Sequence, residues 1–182
     1  PKTTLDTVQE LYEAKNVSYP RSDCNYIPSS QLSDAPEILQ MLASFGLPAA
    51  TKCNTQLQSR AWNDKKITAH HALIPTLVQP KDLSETQSHI YQLIAMQYLI
   101  QFLEPAEYDN LSFTIDVAGE TFKGSGRVCP EEGYRRVYQD DKSEEDGKDD
   151  EKALPALNQG DIVVVTGYDV AEKRTKPPKR FT

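Results

Sequence analysis

Hydrophobic positions along this chain follow two periods, helical up to Pro105 and alternating beyond it. Across residues 4–14, Leu5, Val8, Leu11 and Tyr12 share one helical face, which predicts a short amphipathic helix turning all four side chains to a common core. A second helix is signalled by Asp34 and Glu37 at capping-box spacing and by Pro36 in the first turn. Ile38, Leu39, Leu42 and Phe45 form its stripe and Gly46 stops it. Ser84 and Gln87 cap a third, over about residues 85–103. Its Ile90, Tyr91, Leu93, Ile94, Ala95, Tyr98, Leu99 and Phe102 wrap most of the circumference and predict a largely buried helix.

Beyond Pro105, Leu111, Phe113, Ile115 and Val117 alternate with polar neighbours. Gly119 and Glu120 then read as a tight turn before Thr121 and Phe122, so a β-hairpin is expected. Further strands are expected at residues 134–138 and 161–168. The fold class is therefore α+β, with a helical domain at 1–108 and a small, mostly antiparallel β domain at 109–182. There is no internal repeat.

With 182 residues, 38% of them hydrophobic, the chain has material for two small cores. Lys and Arg number 20 against 27 Asp and Glu, a balance of −7 that argues against a nucleic-acid binder until the charges are mapped. Residues 140–151 alone hold eight carboxylates against Lys142 and Lys148, and the remainder is nearly neutral. So charged a run, with few apolar groups, predicts a solvated loop at about 139–152. The three cysteines, Cys24, Cys53 and Cys129, have no CxxC spacing, which argues against a disulfide framework and a zinc site and suits a reducing cytoplasm. No apolar stretch approaches the roughly 20 residues a bilayer span needs, so no membrane association is expected. The start at Pro1 and the close on Pro177-Pro178-Lys179-Arg180-Phe181-Thr182 read as a segment of a longer protein.

Candidate chemistry begins at Tyr19. Pro20 disfavours helical dihedrals at the residue before it, so the tyrosine is expected just past the first helix, presented from a connection. A phenol is a poor nucleophile at neutral pH, but a guanidinium two residues along, Arg21, favours the phenolate and grips a phosphate. Taken alone, the pair reads more readily as a half-buried tyrosine and a solvated arginine. Adjacent His70 and His71 point different ways in regular structure, so one is expected to be buried and hydrogen-bonded and the other exposed. They lack the spacing of a helical zinc pair. Trp62 and Phe45 read as core rather than as base-stacking platforms. The basic residues Lys173, Arg174, Lys176, Lys179 and Arg180 read either as phosphate contacts or as a solvated chain end.

Several motifs carry a resemblance. Residues 5–13 leading into Val17-Ser18-Tyr19-Pro20-Arg21-Ser22-Asp23-Cys24 resemble the active-site segment of the type IA DNA topoisomerases, in the wording of their topoisomerase III branch. Ala61-Trp62-Asn63-Asp64, followed by Ala69-His70-His71-Ala72-Leu73-Ile74-Pro75-Thr76, resembles the family's second motif. Residues 175–182 resemble its return segment. The resemblance implies that Tyr19 is the nucleophile that cuts one DNA strand, leaving a 5′-phosphotyrosyl link and a free 3′-hydroxyl, with no need of ATP for rejoining.

By the same resemblance Arg21 contacts the scissile phosphate, His70 hydrogen-bonds around it, and Ser22 and Asp23 lie along the DNA, Asp23 with the added option of orienting Arg21. His71 fills the motif's variable position and is assigned no catalytic role. The family's Mg²⁺ is held by an acidic domain with no counterpart in these residues, so this chain is expected to contain no metal ligands and to be inactive alone. Its expected partners are single-stranded DNA and the remaining domains of the parent enzyme. The helical part corresponds to the family's movable gate and the β part to the hinge of its arch. Two rival readings are a non-catalytic single-stranded DNA-binding module and a structural or protein-interaction domain with an incidental tyrosine. The type IA reading requires Tyr19, Arg21 and His70 to converge on one phosphorus atom.

Overall fold

Helix α1 (Lys2–Glu13) buries a narrower stripe than its sequence pattern offers. Val8 and Leu11 are buried with Thr7, whereas Leu5 and Tyr12 are 45% and 37% exposed. The helix packs against the later helix over Glu85–Leu99, and its flanking apolar positions stay outside the core. These contacts belong to a computed structural model that describes residues 2–141, 157–170, 172, 174 and 175.

Helix α2 (Ala35–Phe45) forms where expected, but not by the expected cap. A 3-10 turn, Ser29–Ser33, runs straight into it, so Asp34 already has helical backbone (φ −87°, ψ −15°) and its carboxylate caps no amide. A capping side chain needs an extended backbone to reach forward, and Asp34 instead accepts from Ser33 Oγ at 3.1 Å. At the other end Gly46 takes a left-handed conformation, φ 111°, and the amide of Leu47 reaches back to the Leu42 carbonyl at 3.1 Å. Only glycine adopts that φ without a Cβ penalty, which is why the helix ends there.

Helix α3 (Glu85–Leu99) has a complete capping box between Ser84 and Gln87 and continues as a 3-10 turn, Ile100–Phe102. It is buried on one side rather than around its girth. Tyr91, Ala95, Tyr98 and Leu99 are buried, with Phe102 in the turn beyond, while Leu93, about 200° round from Tyr91, is 60% exposed. Around this stripe pack Val8 and Leu11 of α1, Ile38, Leu39 and Leu42 of α2, and Val17, Ile27, Ala50 and Ile74 from connections. Phe45 meets Tyr91 edge-on at 4.9 Å, and Trp62 lies 5.5 Å from Phe102, so both aromatics belong to the core as expected.

The hairpin pairs β1 (Glu107–Val117) with β2 (Glu120–Glu131) antiparallel, in a register that sets Val117 opposite Glu120 and Phe113 opposite Gly124. Its two turn residues are Ala118 (φ 54°) and Gly119 (φ 88°), one position earlier than the expected Gly119 and Glu120. Asp116 decides the shift by accepting the Gly119 amide at 3.0 Å, and positive φ at both residues matches the twist of a two-residue hairpin.

Two expected strands are absent. Residues 134–138 lie within a 3-10 helix, Gly133–Asp141. Gly133, at φ 49°, turns the chain back so that the Tyr134 amide meets the Glu104 carbonyl at 2.9 Å. Tyr134, Val137 and Tyr138 fall at i, i+3, i+4, a helical face: Val137 packs on the helical core and Tyr138 Oη accepts from Gln97 Nε2 at 2.7 Å. Residues 161–168 join no ladder, and Ile162 and Val164 are 95% and 84% exposed; this run faces β1 across a cavity lined by Leu111, Phe113 and Ile115 without hydrogen-bonding to it. Most of the expected acidic loop, and Lys173, Lys176, Lys179 and Arg180 of the basic cluster, lie outside the described residues.

The architecture among the described residues is α+β, three α-helices followed by a two-stranded antiparallel sheet. None of the described helices is long and apolar enough to cross a membrane.

Candidate active site

Two stretches of irregular chain, one after α1 and one preceding α3, are laced together by hydrogen bonds. Thr76 N donates to Asn16 O at 3.1 Å and Ser18 N to Ile74 O at 2.9 Å, flanking an antiparallel bridge between Val17 and Pro75. Further along, Ala72 N donates to Tyr26 O at 2.8 Å and Ile27 N to Ala61 O at 2.7 Å. Asn16, almost fully buried, extends the lacing by donating from Nδ2 to Val78 O at 3.3 Å. Val17, Ile27, Ile74 and Pro75 are buried on the inner side of this seam and tie it to the helical core.

The seam carries the Tyr19 segment past the His70 segment. The phenol and imidazole rings lie 4.6 Å apart between centroids, tilted by 37°. Tyr12, at the end of α1, meets Tyr19 edge-on at 5.6 Å and 80°. Tyr19 is half-buried between these two rings and His70 is exposed. His71 turns the other way, with Nδ1 2.7 Å from the Ala72 carbonyl; because a carbonyl only accepts, Nδ1 carries the proton. The two histidines therefore divide into one hydrogen-bonded and one exposed, but His71 is half-buried rather than buried as expected.

Arg21 and Asp23 are both exposed, and no ion pair joins them. Asp23 does not orient the arginine in this structure. Ser22 Oγ accepts the amide of Cys24 at 3.1 Å, which ties the end of the segment into a local turn. Nearby, Lys66 Nζ donates to Tyr26 Oη at 2.9 Å and lies 4.8 Å from that ring's centroid. Ser29 and Asp64 are joined twice, through Ser29 N at 2.8 Å and Ser29 Oγ at 2.7 Å, and these bonds lower the Asp64 pKa. Among the described residues no three His, Cys, Asp or Glu side chains gather as metal donors.

Motif and periodicity pass over two residues that the geometry brings forward. Tyr12 reads from its spacing as a core residue but stands at the surface against Tyr19. Ser18 stands within the Tyr19 motif but receives no role from it, yet its hydroxyl bridges the two segments, donating to Ala72 O at 3.2 Å and accepting from Ile74 N at 3.0 Å.

The chain matches a family model described as DNA topoisomerase over residues 1–182. It is 37% identical over 186 residues to a protein of Haemophilus influenzae named DNA topoisomerase 3, a match covering all of this chain and 28% of that protein. A DNA topoisomerase 3 of Pasteurella multocida is 37% identical over 183 residues, covering 98% of this chain and 28% of the relative. One from Staphylococcus aureus is 32% identical over 188 residues, covering 100% and 26%. The chain thus spans little more than a quarter of the length of these relatives.

Proposed function

The chain belongs to the type IA DNA topoisomerases, in the topoisomerase III branch, and on that premise we propose that it is the part of such an enzyme that bears the strand-cutting tyrosine. The observation that carries this reading is the 4.6 Å contact between Tyr19 and His70, which come from separate motifs and are brought together by the seam.

In the proposed reaction Tyr19 Oη attacks the phosphorus of a single-stranded phosphodiester. The bond from phosphorus to the 3′-oxygen breaks, and that oxygen departs with a proton as a free hydroxyl. The 5′-phosphate stays on the tyrosine. Rejoining is the reverse attack, and the phosphotyrosyl ester conserves the bond energy, so no nucleotide triphosphate is consumed. Arg21 and the His70 imidazole supply hydrogen bonds to the phosphate oxygens as charge builds on them, the point at which fixed donors are worth most. Arg21 is exposed and unpaired with any carboxylate among the described residues, so its guanidinium is available to an anionic strand. Ser22 and Asp23 continue along the same strand.

Type IA enzymes use Mg²⁺; we assign its ligands to the part of the parent protein outside these residues, and no step here is routed through it. The chain alone is then inactive, and cleavage requires it to close against that missing part. The helical portion, about 1–108, serves as the gate and the portion from 109 onward as the hinge. Relaxation or decatenation of DNA in the cytoplasm is the outcome.

The test uses the full-length protein, Mg²⁺ and a single-stranded oligonucleotide labelled at its 3′ end, stopped with detergent. The 3′ label should travel with the protein and a 5′ label should not. Tyr19→Phe should form no adduct; an undiminished adduct in that variant would overturn the assignment.

A further inference from the structure

The ladder that joins the two segments is interrupted at Ser18. In a regular antiparallel pair, residues 18 and 74 would exchange both backbone bonds. The first is present, Ser18 N to Ile74 O at 2.9 Å. The second is diverted: Ile74 N donates to Ser18 Oγ at 3.0 Å, not to the Ser18 carbonyl, and the hydroxyl proton goes on to Ala72 O at 3.2 Å. The side chain thus takes the place of its own carbonyl and reaches one step further along the opposite segment. Between Ser18 and Tyr26 the backbone bonds of the seam lapse, and in that gap the segments meet through the Tyr19 and His70 rings.

From this arrangement, and resting on the reading of Tyr19 as nucleophile, we propose that Ser18 is a positioning residue whose hydroxyl sets Tyr19 against His70. A single torsion separates Oγ from the backbone, so an oxygen held from both sides fixes the Ser18 main chain and with it the start of Tyr19. Alanine at this position removes the acceptor for Ile74 N–H, and Ile74 is 4% exposed, so little water reaches it. The restoring move is for Ile74 N–H to find the Ser18 carbonyl, which extends the ladder and carries Tyr19 away from His70. Ala72 O keeps its second donor, His71 Nδ1 at 2.7 Å, so the effect falls on the Ile74 side.

The test compares wild type, Ser18→Ala and Ser18→Thr in the full-length protein. Ser18→Ala should slow single-turnover adduct formation by about 10- to 100-fold, the scale of a small misplacement of a reacting group, while the Kd for the oligonucleotide stays unchanged. Ser18→Thr retains Oγ and should recover most of the rate. A crystal structure of Ser18→Ala should show the Tyr19 and His70 rings parted from their 4.6 Å spacing. An unchanged rate, an unchanged ring spacing, or a loss of DNA binding equal to the loss of rate overturns the proposal. Failure of the underlying nucleophile reading looks different: wild type then gives no adduct that depends on Tyr19, and the ring spacing in the crystal still decides whether Ser18 sets it.

Discussion

The rings of Tyr12 and Tyr19 meet edge to face at 5.6 Å between centroids, so the last turn of α1 walls one side of the proposed nucleophile. Such edge-to-face pairs contribute about 0.5–1.5 kcal/mol beyond the area they bury. Tyr12→Ala should therefore lower the rate of adduct formation by about 3- to 10-fold by loosening Tyr19. Its unfolding midpoint should hardly move, since Tyr12 is already 37% exposed. Tyr12→Phe keeps the ring edge and should behave as wild type. Single-turnover cleavage alongside urea denaturation checks this, and a Tyr12→Ala protein that cuts at full speed would sink it.

The hydroxyls of Tyr91 and Tyr98 are buried without a hydrogen-bond partner among the described residues. A buried unsatisfied hydroxyl costs about 1–3 kcal/mol, so Tyr98→Phe or Tyr91→Phe should leave stability unchanged or raise it by up to about 1 kcal/mol. Thermal unfolding decides the matter: a drop of several degrees in either variant would mean that the hydroxyl has a partner after all.

Alkaline stability follows from the same burial. Desolvation pushes the Cys53 thiol from 9.0 to about 11, and it raises Tyr91 and Tyr98 above the ordinary 10.0 of a phenol. Each group is neutral when protonated, and the folded state holds that proton more tightly than the unfolded state. The Cys53 contribution is complete below pH 9 and is lost as pH climbs through 9 to 11, while the contributions of the tyrosines begin to fall only above pH 10. Urea midpoints should be flat across neutral pH and fall in that window, and Cys53→Ala should remove the earliest part of the fall. A decline beginning below pH 8 in wild type would contradict this assignment.

Gly133 sits at φ 49°, and a β-carbon there would overlap the Pro105 carbonyl. Gly133→Ala combines a strained φ with that overlap and should cost about 1–3 kcal/mol. The loss should appear as faster proteolysis around the return from β2 while the helical core keeps its protection. Unaltered cleavage there would show that the junction tolerates a side chain.

How much of this was legible beforehand varied with how local the cause is. Helices α2 and α3 were plain because stripe, proline, glycine and cap signals lie within a few residues of one another. The error at Asp34 came from a 3-10 turn that shifted its backbone, and Tyr12 was misplaced because a helical stripe does not say how wide its neighbour is. Residues 134–138 resemble a strand by composition, but the conformation of Gly133 and the contact with Gln97 make them helical, and both depend on the fold. The meeting of Tyr19 and His70 follows from the hydrogen-bonded seam, which has no sequence period. Motif resemblance pointed to those two residues; nothing in their spacing pointed to Ser18.

The hairpin leaves the helical body at Pro105 and returns at Gly133, and the bond from Tyr134 N to Glu104 O pins departure and return side by side. The hairpin is therefore clamped to the helical body at its root. Its outgoing arm of 11 residues is about 36 Å long, so a tilt of only 10° at the clamp would sweep the tip through roughly 6 Å. Excising the arm and splicing the chain across the clamp should leave no gap to bridge.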